Sequence, residues 1–371
     1  MLKELEYPFD SQMLLRKRKA LKRTLLQGNN MQERRIAILG GSTTHDIREM
    51  LELFLLNYGI QPVFFESEYA QYWQDAMFGN PELQELAPDV IYIHTTSRNV
   101  TNWPEVTDTA EEVDRKLEEE YNRLHAMWEK LSEDFHCPII QNNFEYPSYR
   151  LLGNRDGVDN RGRVNFVLRL NQRLAEYAAS HNNFHINDIH YQSADYGLEK
   201  WADPYYWHMY KYGCCMDAIP SLSFNVANII KAIYGKNKKA LAIDLDNTMW
   251  GGIVGDDGVE QLELGQEASM GQAYTEFQQY LGQLQKQGIL LNIISKNEME
   301  NAMAGLNHPQ MQLKPSDFIS IKANWEPKSL NLQQMAQELT LLPESFVFVD
   351  DNPAEREIVQ AQVPGVGVPE L

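Results

Sequence analysis

The sequence of 371 residues has few cysteines and no long uninterrupted apolar run. Its three cysteines, Cys137, Cys214 and Cys215, have neither the even number of a disulfide framework nor the regular spacing of a zinc site. Such sparse cysteines are typical of a reducing compartment, so we expect a cytoplasmic protein. No apolar stretch is long enough to span a bilayer, and the N-terminus lacks the apolar core of a signal peptide, so a membrane span is not expected.

Basic residues are also scarce. The chain has 33 lysines and arginines against 52 aspartates and glutamates, which gives a formal net charge of -19. Such an excess of acidic groups repels nucleic-acid backbones and anionic membranes, so we expect neither as a general partner. A small phosphorylated ligand remains compatible with this charge, because local donors and a metal ion can override the overall field.

The order of apolar and polar segments predicts an α/β protein with two domains. Short apolar runs alternate with stretches of helical periodicity, as in parallel α/β sheets. The chain is longer than one core usually supports, and the basic segment Lys236–Lys239 interrupts the pattern. We therefore expect Rossmann-like parallel-sheet domains over residues 1–235 and 236–371. A basic helix is predicted over residues 11–26, as either a packed surface helix or a membrane- or partner-binding element.

Acidic residues, a serine and a lysine follow successive predicted strands of the second half. Because the carboxyl ends of parallel strands meet at one edge of a sheet, we expect these side chains to share one site. Carboxylates suit Mg²⁺, and a hydroxyl and an ammonium group can hold phosphoryl oxygens. One carboxylate can attack phosphorus, while another two residues on protonates the leaving oxygen. The residues are Asp244, Asp246, Ser295, Lys328, Asp350 and Asp351.

These residues carry a resemblance to a known superfamily. Asp244-Leu-Asp-Asn-Thr resembles the first motif of the haloacid dehalogenase (HAD) superfamily of phosphohydrolases, and the later residues fall where its other motifs belong. Within that superfamily, Ser-Lys-Asn, Asn-Trp-Glu-Pro-Lys and Val-Asp-Asp-Asn-Pro-x-Glu-Arg resemble the FkbH-like branch. The resemblance implies a HAD-type fold for the second domain. Residues 247–267 leave room for only a small flap as cap, and we expect a mobile hairpin over Gly251–Gly258.

The resemblance also implies a role for each matching residue. Asp244 would be the nucleophile and a Mg²⁺ ligand, and Asp246 would be the general acid/base and give the metal its backbone carbonyl. Asp350 would complete the metal site, with Asp351 in or just behind the ligand shell. Lys328 would also stabilise charge during the reaction. The phosphate-binding residues would be Ser295, Asn247, Thr248, Asn297 and Lys328.

The first domain has a fainter resemblance to the SGNH hydrolase-like fold. Ser42 follows the first strand as an esterase serine would, and Asn99 follows a later strand as an oxyanion asparagine would. Asp203 and His208 come late, as the remaining dyad would. However, Gly41 stands where that family usually has aspartate, and the dyad spacing exceeds the usual Asp-x-x-His. A non-catalytic scaffold or a carrier-docking domain is the alternative.

Three functions follow as hypotheses. The leading one is a Mg²⁺-dependent phosphohydrolase or phosphotransferase that forms an aspartyl-phosphate and acts on a small metabolite phosphate in sugar, polysaccharide or acyl-derivative biosynthesis. The FkbH-like resemblance implies an alternative, glyceryl transfer from a phosphorylated three-carbon donor to an acyl carrier protein. That route is disfavoured because Ile294 stands where the branch often has cysteine. A phosphate-binding scaffold without turnover is the third. FkbH-like proteins often continue into an acetyltransferase-like domain, which this chain would lack.

Overall fold

The computed structural model describes residues 2–28 and 31–370, which form two compact units that divide between Gly235 and Lys236. Each unit is built around its own parallel β-sheet, with helices on both faces. Within the described ranges, no helix is both long enough and apolar enough to cross a membrane.

The first unit contains five parallel strands. They are β1 (Gln32–Gly40), β2 (Ile60–Glu66), β3 (Val90–His94), β4 (Ile139–Asn142) and β5 (Phe184–Asn187), in the sheet order β2-β1-β3-β4-β5. Its helices are α1 (Ser11–Leu25), α2 (His45–Asn57), α3 (Tyr72–Phe78), α4 (Pro81–Leu86), α5 (Ala110–Phe135), α6 (Arg163–Ser180), α7 (Ile189–Tyr196), α8 (Leu198–Trp201), α9 (Pro204–Tyr210) and α10 (Ile219–Ile233).

Two apolar layers enclose this sheet, because successive side chains of a strand point to opposite faces. Ile36 and Ile38 of β1 join the layer that includes α1, α2 and α10. Ala37 and Leu39 join the opposite layer, which includes α3, α5 and α6. A strand that is buried on both faces consists of a continuous apolar run, and such runs identified these strands in the sequence.

The second unit contains four parallel strands. They are β6 (Ala240–Ile243), β7 (Leu290–Ser295), β8 (Ser320–Ala323) and β9 (Phe346–Val349), in the sheet order β8-β7-β6-β9. Its helices are α11 (Val254–Asp257), α12 (Ser269–Lys286), α13 (Met299–Leu306), α14 (Lys328–Glu338) and α15 (Pro353–Gln362). The strand order reverses at β6, so a ligand crevice is expected at the carboxyl ends of β6 and β9. The predicted α/β class with two parallel sheets is confirmed.

The segment after β6 differs from the predicted hairpin. It holds the short helix α11, and a single antiparallel bridge joins Gly251 to Glu263. The Asp257 carboxylate accepts a hydrogen bond from the Ile253 backbone N–H at 2.8 Å, which closes the helical turn. Gly258 ends it with a φ of +79°, which glycine adopts without steric cost. The hairpin prediction was wrong because the glycines suggested a β-turn, whereas a side-chain hydrogen bond stabilises a helix.

The basic helix α1 packs against its own unit. Leu14 on its inner face is fully buried. Arg18 lies 2.5 Å from a carboxylate oxygen of Asp46, and Lys22 lies 2.6 Å from one of Glu52. Both acidic residues belong to α2, so part of the positive charge of α1 is paired within the unit. The structure therefore favours a packed surface helix over a membrane-binding element.

Replacing Leu14 by alanine should lower the free energy of unfolding by about 2–5 kcal/mol, because it opens a cavity at a fully buried position. The matched change Lys17→Ala, on the exposed face of α1, should alter it by less than about 0.5 kcal/mol. Urea unfolding followed by circular dichroism measures both values. Equal losses in the two variants would show that α1 does not contribute to the core.

Candidate active site

Charged side chains from three segments of the second unit meet in one buried cluster. The register of Ile243 with Val349 places Asp244 and Asp350 one residue beyond neighbouring strands. The Lys328 ammonium lies between them, 2.9 Å from Asp244 Oδ1 and 2.6 Å from Asp350 Oδ2. Asp244 is 6% exposed, Asp350 is 0% exposed and Lys328 is 4% exposed. Side chains far apart in the sequence therefore form an almost fully desolvated charge cluster.

The donor set of this cluster fits a hard divalent cation. Asp244, Asp350 and Asp351 each offer a carboxylate oxygen, and these oxygens lie within 4.8 Å of one another. Three ionised carboxylates against the single charge of Lys328 leave an excess of two negative charges. Asp351 is exposed, but the excess on the buried Asp244 and Asp350 is costly to desolvate. A divalent cation would neutralise that excess. Oxygen-only ligands suit Mg²⁺ better than a softer metal, so the residues fit the cation that the HAD resemblance implies.

Burial and neighbouring charges act on the pKa values of the cluster. Burial is the largest influence on Asp244 and raises its pKa to about 6, against the attraction of Lys328. Burial also opposes the charged form of Lys328, but Asp244 and Asp350 outweigh it, and the pKa of Lys328 is raised. The pKa of Asp351 is raised by burial and by the charge of Asp350. The cluster thus carries more negative charge than one lysine compensates.

Asp246 is oriented by three hydrogen-bond donors. Its Oδ1 accepts from the indole N–H of Trp250 at 2.9 Å and from the backbone N–H of Val254 at 3.0 Å. Its Oδ2 accepts from the side-chain amide of Asn297 at 3.0 Å. Since Val254 is the first residue of α11, the short helix after β6 is tied directly to the candidate acid/base.

Two of these contacts went beyond what the sequence suggested. The resemblance implied a phosphate-binding role for Asn297 and gave none to Trp250, yet both donate hydrogen bonds to Asp246. A β-carbon on Gly305 of α13 would lie 2.7 Å from the Trp250 ring, so the glycine makes room for the indole. The available signal was the position of Trp250, four residues after Asp246 in the same motif.

The remaining predicted phosphate-binding residues lie around the cluster in different ways. Ser295 is the last residue of β7, the strand next to β6, and it is buried. Thr248 Oγ1 accepts a hydrogen bond from the Asp351 backbone N–H at 3.2 Å and so links the first and fourth motifs. Asn247 is exposed, has a φ of +54°, and accepts from the Gly252 backbone N–H at 3.0 Å. Asn247 therefore supports the turn after β6.

An arginine that the sequence reasoning overlooked stabilises the fourth motif. Arg356 Nη1 donates to the carbonyl oxygen of Asp350 at 2.6 Å and to that of Asp351 at 2.8 Å. Because the Arg356 guanidinium is bonded to both carbonyl oxygens, it fixes the backbone that carries the Asp350 and Asp351 carboxylates. The signal was the Glu-Arg pair that closes the fourth motif, which was used for the resemblance but given no role.

Comparison with known proteins identifies the family. A family model described as the N-terminal domain of FkbH matches residues 35–231, which is more than half of the chain. The chain belongs to the FkbH family. Among solved structures, the N-terminal part of BF1531 from Bacteroides fragilis, which contains a phosphatase domain and was solved in complex with Mg, is similar to this FkbH chain. It is 29% identical with a TM-score of 0.86, over 95% of this chain and 93% of that one.

Other similar structures cover less of the FkbH chain. A HAD family enzyme from Bacteroides thetaiotaomicron is 12% identical with a TM-score of 0.26, over 36% of this chain and 93% of that one. A GDSL-like lipase from the same organism is 14% identical with a TM-score of 0.32, over 59% of this chain and 99% of that one. Scores this low support no inference. No curated protein matches the chain in sequence.

In the first unit of the FkbH chain, Ser42 has a different environment from the one that the SGNH resemblance implies. Ser42 is 1% exposed, and its hydroxyl has no hydrogen-bond partner among the described residues. The histidine near it is His94 of β3, because a β-carbon on Gly213 would lie 3.2 Å from Ser42 Oγ and 3.4 Å from His94 Nε2. Burial lowers the pKa of His94 to about 4.

The other predicted residues of that site have local structural roles. Asp203 accepts a hydrogen bond from the Tyr205 backbone N–H at 2.9 Å and caps α9, while His208 is exposed on the same helix. Asn99 donates from its amide to the Gly41 carbonyl at 2.8 Å, and its own carbonyl accepts from the backbone N–H of the preceding turn. Among the described residues, no hydrogen bond joins Ser42 to this set.

Replacing Lys328 by methionine should destabilise the second unit by about 3–5 kcal/mol in EDTA, because Asp244 and Asp350 would remain buried without a cation. The control Lys322→Met removes a pair with Glu338, which is 55% exposed, and should cost less than about 1 kcal/mol. Urea unfolding measures both variants. A Lys328→Met protein as stable as the control would contradict the buried charge cluster.

Proposed function

We propose that the second unit is a Mg²⁺-dependent phosphohydrolase or phosphotransferase that acts through an aspartyl-phosphate on Asp244. The observation that carries this proposal is the buried cluster of Asp244, Asp350 and Lys328, with the Asp351 carboxylate beside it, where the strand order of the sheet reverses. The similarity to BF1531, a protein described as containing a phosphatase domain and solved with Mg, supports the same activity.

In the proposed reaction, a carboxylate oxygen of Asp244 attacks phosphorus, and the bond between phosphorus and the leaving oxygen breaks. Lys328 stabilises the negative charge on the phosphoryl oxygens, and the hydroxyl of Ser295 donates a hydrogen bond to them. A bound cation would neutralise the repulsion between Asp244 and the phosphate. Asp246 protonates the leaving oxygen and later takes a proton from the water or acceptor alcohol that attacks the aspartyl-phosphate.

The proposed substrate is a small metabolite phosphate. The segment between β6 and α12 contains only α11 and short turns, so it forms a flap rather than a folded cap domain. Trp250 and Val254 connect this flap to Asp246, which couples the orientation of the acid/base to the position of the flap. A substrate that contacts the flap would therefore affect proton transfer as well as binding.

The cysteines give less support to glyceryl transfer through an enzyme thioester. All three lie in residues 1–235 and are buried. Burial raises the pKa of Cys137 to about 12, and it also raises the pKa values of Cys214 and Cys215. A thioester requires a thiolate nucleophile, which buried thiols with raised pKa values do not supply at neutral pH. Hydrolysis or transfer from Asp244 is therefore the better-supported reaction.

The wild-type chain should release phosphate from an aryl phosphate with Mg²⁺ and lose this activity in EDTA. Asp244→Asn should reduce turnover by at least about 10³-fold, because an amide cannot form the aspartyl-phosphate. Glu276→Gln, an exposed acid-to-amide change on α12, is the matched control and should retain activity. A wild-type protein without Mg²⁺-dependent turnover on aryl, sugar and acyl phosphates would refute the proposal, and so would an active Asp244→Asn variant.

Asp350→Asn should weaken Mg²⁺ binding at least about tenfold, because it removes a buried anionic ligand from the cluster. Isothermal titration calorimetry on the metal-free protein measures the affinity directly, without turnover. Asp351→Asn in the same experiment tests whether Asp351 is a direct ligand, since an indirect role predicts a smaller loss. Unchanged affinity in Asp350→Asn would exclude this carboxylate as a ligand.

A further inference from the structure

The first unit contains a pocket of about 250 Å³ that the proposed phosphate chemistry does not use. It lies beside the segments that follow β3 and β4, where open parallel sheets commonly bind ligands. The segment that carries Trp201 and Gly213 forms another side. Aromatic rings supply much of its wall, namely Trp103, Tyr146, Tyr149, Trp201, Trp207 and Tyr212.

Hydrogen-bond donors in the pocket wall lack acceptors. Trp201 is 1% exposed, and its buried indole N–H has no partner among the described residues. The buried Nε of Arg163 is likewise unpaired, although its Nη1 donates to the Tyr149 hydroxyl at 2.9 Å. The Arg98 guanidinium stacks 4.6 Å from the ring centre of Trp207, without a hydrogen bond to any described residue. The unpaired donors of Trp201 and Arg163 are buried, which is costly, whereas Arg98 is exposed and its donors are open to a ligand. Oxygen acceptors from a ligand would therefore stabilise this wall.

The acidic groups of the wall already have partners. The Glu145 carboxylate accepts from the Ser97 hydroxyl at 2.8 Å and from the Ser97 backbone N–H at 3.1 Å. Asp203 accepts from the Tyr205 backbone N–H at 2.9 Å. Among the described residues, only one oxygen of Asp203 has such a partner, but the donors of Arg98, Arg163 and Trp201 outnumber this one open acceptor. This favours a ligand with oxygen acceptors over one with donor groups.

Charge selects among such ligands. Arg98 and Arg163 bring two positive charges to the wall, while Glu145 and Asp203 bring two negative ones. Because these formal charges cancel, a ligand with one negative charge near the guanidinium groups disturbs the balance less than a phosphate dianion would. We propose that the pocket binds a small organic monocarboxylate, with its oxygens on the Arg98, Arg163 and Trp201 donors and its apolar body on the aromatic wall.

The proposal concerns binding without a covalent step. Ser42 does not line the pocket, whereas Gly213 does, and the Ser42 hydroxyl lies next to Gly213. The backbone N–H of Thr43 donates to the Lys211 carbonyl at 2.9 Å, and its hydroxyl donates to the Tyr210 carbonyl at 2.8 Å. These bonds hold the segment before Gly213 against the serine, which is 1% exposed.

Titration of the full chain with benzoate, phenylacetate and hexanoate tests the proposal by ligand-observed NMR and calorimetry. We expect a dissociation constant on the order of a millimolar for the best of these fragments, given their size. Benzyl alcohol and benzamide should bind at least about tenfold more weakly than benzoate, because they lose the charge-assisted hydrogen bonds. Absence of carboxylate binding would overturn the proposal, and tighter binding of the dianion phenylmalonate than of benzoate would overturn the single-charge argument.

Two variants locate the binding site. Arg98→Gln and Trp201→Phe should each weaken carboxylate binding at least about tenfold, the second by removing an N–H while keeping an aromatic ring. Arg155→Gln alters an exposed arginine outside the pocket and should leave binding unchanged. Equal binding by the wild type and both pocket variants would place the ligand elsewhere. The titrations contain neither Mg²⁺ nor phosphate, so their outcome is independent of the proposed phosphatase activity.

Discussion

The second unit depends on one ammonium group placed between two carboxylates. Lys328 begins α14, whereas Asp244 and Asp350 follow β6 and β9, so this contact joins a helix to two neighbouring strands. Removing the three charges from water costs more free energy than their attraction to each other recovers, and the cluster keeps a net negative charge. That remaining charge makes the site suitable for a divalent cation. The feature that is costly for folding is thus the same feature that the proposed phosphoryl transfer requires.

The proposed nucleophile and the proposed acid/base are held by different parts of the second unit. Asp244 and Asp350 follow buried strands directly, and Arg356 fixes the backbone of the fourth motif through two carbonyl oxygens. Asp246, in contrast, receives one of its hydrogen bonds from the backbone of Val254 in α11, outside the sheet. The proposed nucleophile is therefore held by the core, whereas the proposed acid/base is held partly by the flap. Attack and proton transfer would accordingly respond differently to substitutions in the flap.

The sequence predicted the strands and the meeting of their polar ends, because these follow from patterns of burial. It did not predict individual side-chain hydrogen bonds. Runs such as Val90–His94 identified strands because both faces of the sheet are covered. The meeting of Asp244 with Asp350 followed from parallel strand ends. The hydrogen bond of Asn297 to Asp246 could not be predicted in this way, because it depends on packing between distant segments. The hydrogen bond of Trp250 is local, four residues along the chain, but it depends on the direction of the indole, which its packing against Gly305 sets. The hydrogen bond from the Ile253 N–H to Asp257 is local, and it was missed because glycines dominated the local pattern.

In the first unit, the close approach of Gly41 to Asn99 restricts which residue can precede Ser42. A β-carbon on Gly41 would lie 2.5 Å from the amide of Asn99, so the aspartate that the SGNH pattern usually has before the serine would clash here. The side-chain amide of Asn99 donates a hydrogen bond to the Gly41 carbonyl and so stabilises the loop after β1. With Ser42 buried under the segment that contains Gly213, the accessible space lies in the aromatic pocket beside β3 and β4. Because Ser42 is buried while the pocket is open, we proposed ligand binding and not hydrolysis for this unit.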